Sequence, residues 1–260
     1  MSTFLFDRII FGPIKSRRLG ISLGINLLPN DSKLCNFNCI YCECGWTSDI
    51  DQLNFYFHPR VEVKEKLNES LLQMKQSNKQ LDVITFAGNG EPTTHPDFAG
   101  IIDDTIDLRN LYFPKARIAV LSNGTMAHKK PVFDALNKIE QNILKLDSAL
   151  DDTVKIINTP PPGYSVRSQI EKYKNFSGNV IVQTMFLQGM YNGVSVDNTT
   201  ELEVSAWFEA IKQISPKQVM IYTIARETPA QNLTKVSMET LNTIGQRVEQ
   251  QLGIEVQISG

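Results

Sequence analysis

Four cysteines, Cys35, Cys39, Cys42 and Cys44, fall within ten residues of a 260-residue chain that has no others. Thiols gathered so tightly point to a metal or a redox centre, because a disulfide framework scatters its cysteines along the chain. Zinc and iron–sulfur are the two candidates. A closed structural zinc site takes four Cys or His ligands, typically as two separated pairs. The three histidines, His58, His95 and His128, lie in unrelated segments and read as surface or capping residues. A [4Fe–4S] cluster normally takes four thiolates. Cys35, Cys39 and Cys42 can wrap three corners from one irregular loop, whereas Cys44, one residue beyond Cys42, is cramped for the fourth. Three protein ligands leave one iron open, the mark of a reactive site.

Other residues of chemical interest end apolar runs. Gly88-Asn89-Gly90-Glu91-Pro92 follows one such run, and its glycines let the chain approach a ligand closely or make a tight turn. Asn123 ends the next run and is also placed to cap a helix. In the run after that, Leu144 and Leu146 alternate with Lys145 and Asp147, so the two charged residues share one strand face. Isolated charges facing a core are costly; these two either pair with each other or meet a ligand. Ser148 and Gln183 are weaker candidates of the same kind. Arg226 is expected to share a strand face with Tyr222 and to offer its planar fork to a phosphate or carboxylate. The alternative is an ion pair with Glu227 or Asp147. Arg17 and Arg18 precede the first strand and are poorer candidates.

The elements that would position these residues alternate along the chain. Strands are expected at Ile21–Leu28, Val83–Gly88, Arg117–Ser122, Ile143–Ser148, Asn179–Leu187 and Gln218–Ala225, with Ile254–Ser259 as a last one. Helices are expected near Val61–Lys79, Pro96–Leu111, Lys130–Gln141, Val166–Asn175, Thr200–Ile214 and Ser237–Leu252, the last capped by Ser237 and stopped by Gly253. Successive βα units of this kind imply an α/β fold with about six parallel strands, curled by right-handed crossovers into a partial or full barrel. The cysteines and the loops at 88–92, 123–124, 147–148 and 226–229 all follow strands, the end where α/β folds build their sites.

Hydrophobic residues make up 42% of the chain and charged ones 21%, an ordinary globular composition. A net charge of −2 supplies no long-range field toward nucleic acid or anionic lipid. Asp7 and Arg8 interrupt the N-terminal apolar run too early for a signal peptide, and no stretch is long enough to span a bilayer. A cytoplasmic protein without membrane contact is expected. It reads as one domain over 1–260, with 1–20 an N-terminal extension, 21–230 the barrel core, and 231–260 a C-terminal helix and strand.

The segment Cys35-Asn36-Phe37-Asn38-Cys39-Ile40-Tyr41-Cys42 resembles the signature of the radical S-adenosylmethionine superfamily, and Gly88-Asn89-Gly90-Glu91-Pro92-Thr93 resembles its G-G-E-P element. Ser16–Gly20, Ser22–Asn26, Lys145–Ser148 and Arg226–Pro229 are similar to segments of a subgroup related to wyosine-forming tRNA enzymes. The resemblance implies a [4Fe–4S] cluster on Cys35, Cys39 and Cys42 whose open iron binds S-adenosylmethionine, followed by reductive cleavage to a 5′-deoxyadenosyl radical that abstracts hydrogen from a substrate. It implies that Tyr41 presents its backbone to the adenine, that Asn89, Gly90 and Glu91 line the methionine amino group beside Gly88, and that Asn123 lines the cofactor. Asp147 and Ser148 would meet cofactor ribose or substrate. Lys145 and Arg226 would hold an anionic part of the substrate. An oxidoreductase of this kind needs a reducing partner such as flavodoxin or ferredoxin; its substrate is a small molecule, a protein or RNA, including a tRNA base. The wyosine-forming relatives carry further cysteines for a second cluster, where this chain has only Cys44 to spare. A glycyl-radical-activating enzyme would share the cysteine loop. A non-catalytic iron–sulfur carrier or zinc-binding protein would have no use for the loop Gly88–Pro92.

Overall fold

Short runs rich in Val, Ile and Phe, buried on both faces, form the central strands; Val83-Ile84-Thr85-Phe86 is buried at all four positions, as parallel strands covered by helices are. The structure, a computed structural model, describes residues 4–16, 18–47 and 56–260. Arg17 lies outside the described residues. The described chain falls into two compact units.

The first unit comprises Leu5–Cys35 and Thr47–Asn142. Its strands are β1 (Ile10–Ser16), β2 (Gly20–Ile25), β3 (Val83–Phe86) and β4 (Arg117–Ser122), in that spatial order. β1 is antiparallel to β2, and β2, β3 and β4 are parallel, with Ile25 beside Phe86 and Phe86 beside Val120. The helices are α1 (Arg60–Gln76), α2 (Phe98–Tyr112) and α3 (Lys130–Asn137). α1 turns Val63, Leu67, Leu71 and Met74 inward at spacings of three and four. β1, which falls within the segment expected as an N-terminal extension, pairs with β2. β2 also stops at Ile25 rather than Leu28. The Asn26 side chain turns the backbone there, donating to Leu28 O at 2.9 Å and accepting from Leu28 N at 3.3 Å.

The second unit comprises Asn36–Trp46 and Ile143–Gly260, with Phe4. β5 (Gln141–Lys145), which enters this unit at Ile143, is followed by α4 (Asp151–Asn158), α5 (Val166–Lys174), β6 (Ile181–Tyr191), β7 (Val194–Asp197), α6 (Glu201–Ile214), β8 (Gln218–Thr223), β9 (Leu233–Lys235), α7 (Met238–Leu252) and β10 (Glu255–Ser259). β5, β6, β8 and β10 lie side by side and parallel. The far end of β6 instead carries β7 and β9, both antiparallel. Three helices open on hydroxyl caps: Ser165 accepts from Ser168 N, Thr200 from Glu203 N and, as expected, Ser237 from Thr240 N. Gly253 closes α7 at φ 67°. β5 ends at Lys145 and β8 at Thr223, earlier than expected, so Asp147, Ser148 and Arg226 sit in the loops beyond.

Candidate active site

In the second unit, Cys39 is held by the end of α4. The last two residues of that helix accept hydrogen bonds from either side of it: Asn38 N donates to Asn158 O at 2.8 Å and Ile40 N to Ile157 O at 2.9 Å. The Asn158 side chain completes the clamp, its amide donating to Cys39 Sγ at 3.3 Å and to Asp147 Oδ2 at 2.7 Å. An amide has two N–H groups, one for each. Cys42 N then donates to Cys39 O at 3.1 Å and Gly45 N to Cys42 O at 2.9 Å, which wraps the loop into successive turns. Burial pushes the Cys39 thiol up to about 11, against the pull of the Lys145 ammonium. Burial thus favours the neutral thiol, and a bound metal would supply the charge that offsets this cost.

Lys145, Asp147, Tyr41 and Tyr222 form one polar cluster. Across the sheet, Lys145 stands beside Gln183 and Gln183 beside Met220, which puts Tyr222, two residues on, on the same face as Lys145. The Lys145 ammonium donates to Tyr41 Oη at 2.6 Å and to Tyr222 Oη at 3.3 Å, and lies over both rings. Tyr41 donates its hydroxyl to Asp147 Oδ2, and Lys145 approaches the same oxygen to 3.7 Å. Asp147 Oδ1 accepts from Met185 N at 2.9 Å, and its carbonyl accepts from Asn198. Burial disfavours charge on Lys145, but Asp147 and Tyr222 outweigh it and raise its pKa, so the ammonium persists. Burial, reinforced by Asp147, likewise raises Tyr41, which stays a phenol. Lys145 and Asp147 thus form an ion pair bridged by Tyr41, although β5 ends before Asp147.

In the first unit, the loop Gly88–Pro92 is a mount for the first cysteine. Leu34 N donates to Asn89 O at 2.8 Å, and Glu91 N donates to Leu34 O at 3.0 Å. Gly90, at φ 137°, lies so close that a Cβ there would sit 1.8 Å from Leu34 O. The side chains of this loop face the protein. Asn89 donates to Phe6 O and Pro29 O, at 2.9 and 2.7 Å. Glu91, 2% exposed, accepts from Thr93 N at 3.1 Å, Ser122 Oγ at 2.8 Å and Asn123 N at 2.6 Å. Burial raises the Glu91 pKa against these donors. The Asn123 amide reaches Cys35 Sγ at 3.8 Å, while its Oδ1 accepts from Thr125 N in an Asx turn rather than capping a helix.

These placements show where the expected residues lie. The side chains of Asn89 and Glu91, expected to line a cofactor, are bonded to Phe6 O and Pro29 O and to Thr93, Ser122 and Asn123 respectively. Ser148 donates to Glu203 at 2.6 Å and accepts from Leu150 N, which ties it to α6. Arg226 does not share a strand face with Tyr222, since β8 has ended; its exposed guanidinium meets Glu43 at 2.7 Å, neither Glu227 nor Asp147. His58 and His95 are buried rather than superficial, although His95 does cap a turn by accepting from Asp97 N. Asn158, at Cys39 Sγ, is not named by the sequence reading, and Tyr222, at Lys145, is named there only as a neighbour of Arg226. Tyr222 alternates with buried β8 neighbours and was legible; nothing in the sequence links Asn158 to a cysteine 119 residues away.

The four cysteines form no disulfide. Among the described residues no three or more His, Cys, Asp or Glu side chains are gathered as for a preformed metal site. The fit to an iron–sulfur cluster therefore rests on donor chemistry: three thiols in one loop, two of which carry side-chain amide donors on sulfur. The family model of the radical SAM superfamily matches residues 30–202, well over half of the chain. The chain belongs to the radical SAM superfamily. This radical SAM chain is 30% identical over 224 residues to a UPF0026 protein of Helicobacter pylori, an alignment covering 84% of the chain and 67% of the relative. It is 27% identical over 253 residues to a Brachyspira hyodysenteriae protein named GTPase Obg, covering 96% of the chain and 35% of that protein. In structure it is similar to SuiB of Streptococcus suis bound to the precursor peptide SuiA (TM-score 0.64, 14% identity, 91% of this chain and 48% of SuiB). It is also similar to anSMEcpe with bound AdoMet (TM-score 0.57, 15% identity, 91% of this chain and 63% of that one). The radical SAM chain thus shares their fold while spanning about a third of the Brachyspira relative and about half of SuiB. Enzymes of the superfamily bind a [4Fe–4S] cluster and S-adenosylmethionine. Among the described residues no helix is long and apolar enough to cross a membrane.

Proposed function

We propose that this chain is a radical S-adenosylmethionine enzyme whose Cys35, Cys39 and Cys42 hold a [4Fe–4S] cluster with one iron open. The observation that carries the reading is the clamped cysteine loop: Cys39 is buried, its sulfur accepts an amide hydrogen, and its neighbours on both sides are bonded to α4. When bound, the cluster and S-adenosylmethionine supply one-electron cleavage of the sulfonium and hydrogen abstraction from a substrate. The chain's own residues place and shield that chemistry. Gly88, Asn89, Gly90 and Glu91 fix Leu34 and so aim Cys35, with Asn123 at its sulfur. Asp147 holds Tyr41 and Asn158, and Ser148 holds the loop after β5 against Glu203. Lys145 spends two of its three donors on Tyr41 and Tyr222, and its third is proposed to meet an anionic group of the ligand or substrate. Arg226, paired with Glu43 one residue beyond Cys42, is proposed as an outer contact for the same anion. The resemblance of Ser16–Gly20 and Ser22–Asn26 to the wyosine-related subgroup makes a tRNA base one substrate class to test beside a small molecule or a protein, and the cluster would draw its electron from a reducing partner such as flavodoxin or ferredoxin.

The test is spectroscopic. Protein reconstituted with iron and sulfide under anaerobic conditions and reduced should show the electron paramagnetic resonance of a [4Fe–4S]⁺ cluster. Adding S-adenosylmethionine should shift that signal, because a ligand has reached the open iron. A cluster signal indifferent to S-adenosylmethionine would reduce the protein to an electron carrier. No cluster at all would leave the zinc-binding alternative.

A further inference from the structure

We infer that Asn158 is a positioning residue that sets the reduction potential of the cluster through the sulfur of Cys39. The inference rests on the cluster assignment proposed above and adds a residue to it. Asn158 closes α4, is 1% exposed, and stands 119 residues from the cysteine it contacts. One amide hydrogen points at Cys39 Sγ at 3.3 Å; the other is fixed by Asp147 Oδ2 at 2.7 Å, so the amide cannot rotate away. The backbone of the same residue is locked in turn, because its carbonyl accepts from Asn38 N at 2.8 Å. Asp147 is itself braced by Tyr41, Met185 N and Asn198. A donor held on three sides, where water cannot substitute for it, is preorganised for the charge that appears on sulfur.

Thiolate bound to iron carries negative charge, and that charge grows when the cluster accepts an electron. A hydrogen bond to the sulfur therefore stabilises the reduced cluster more than the oxidised one and raises the potential. Loss of the Asn158 amide should make the cluster harder to reduce without removing any iron ligand. A purely structural role for Asn158 would change loading or thermal stability and leave the potential where it was.

The experiment compares reconstituted wild type and Asn158→Leu by redox titration, with iron content measured in parallel. Asn158→Leu is expected to load iron as wild type does. At a fixed poise its reduced-to-oxidised ratio should fall on the order of tenfold, the scale of one hydrogen bond to a charged group. For a one-electron couple that is about 59 mV. An unchanged potential in a fully loaded variant overturns the inference while leaving the cluster assignment intact. Failure of wild type to load a cluster overturns the assignment itself. Should Asn158→Leu fail to fold or load, pulsed electron–nuclear double resonance decides on the native side chain. Asparagine labelled with ¹⁵N at its side-chain nitrogen is incorporated in wild type and in Asn158→Asp, which removes only the labelled nitrogen 3.3 Å from Cys39 Sγ, and the difference between the two spectra is read. Hyperfine coupling to that nitrogen in the reduced cluster supports the inference, and its absence overturns it.

Discussion

A single methyl group is enough to test how the first cysteine is mounted. Gly90 lies at a φ of 137°, where an L side chain is strained, and a Cβ there would meet the backbone oxygen of Leu34 at 1.8 Å. Backbone cannot swing aside as a side chain can, so Gly90→Ala must push Leu34 and with it Cys35. Iron content after reconstitution is expected to fall several-fold, with the fold still recognisable by circular dichroism; full iron loading would show that the loop at Gly88–Pro92 does not aim Cys35. The residue scale is also where sequence reading was strongest and weakest. The Cys35–Cys42 spacing and the Lys145–Asp147 alternation follow from local pattern, and both are legible without a structure. The destinations of Asn89, Glu91 and Ser148 are not, because a buried polar side chain is defined by partners distant in sequence: Pro29 for Asn89, Ser122 for Glu91 and Glu203 for Ser148.

At the scale of elements, the first unit offers a pH-dependent tie between α1 and α2. Asp104 on α2 accepts from Arg60 at 2.6 Å and from Lys64 at 2.9 Å. Hydrogen bonds from Arg60, more than offsetting burial, hold its carboxyl below the usual carboxylate range, with Lys64 adding to the effect. A depressed folded-state pKa stabilises the fold above the unfolded value, about 3.9, and the contribution fades as pH falls through the folded value. Asp104→Asn should therefore cost about 1–3 kcal/mol near neutral pH, read as a lower melting temperature. The gap to wild type should narrow as pH drops below about 4; a gap independent of pH would mean packing, not charge, holds the helices. Among the elements themselves, β4 was read from sequence with its bounds, since Arg117–Ser122 is a plain apolar run between turns. β1 carries Pro13 within it, a residue that argues against a strand except at an edge, which is where β1 lies. α4 has only eight residues, too few for a helical period to show. The β6–β7 hairpin had a usable signal: Asn192-Gly193, both at positive φ, is the preferred two-residue hairpin turn.

On the scale of the whole chain, membership of the superfamily gives the fold and the cofactors its enzymes bind, and does not name a substrate. The second unit gathers a lysine held between two tyrosines, and a buried aspartate that braces both a tyrosine and the asparagine at a cysteine sulfur. The central claim is that this chain drives S-adenosylmethionine chemistry from three of its four cysteines. The most direct test incubates the anaerobically reconstituted, dithionite-reduced protein with S-adenosylmethionine and follows 5′-deoxyadenosine and methionine by mass spectrometry. The account predicts equal amounts of the two products from wild type and from Cys44→Ala, and none above background from Cys35→Ala, Cys39→Ala or Cys42→Ala. Intact S-adenosylmethionine with fully reduced, cluster-loaded wild type, or cleavage that survives Cys39→Ala, would contradict it.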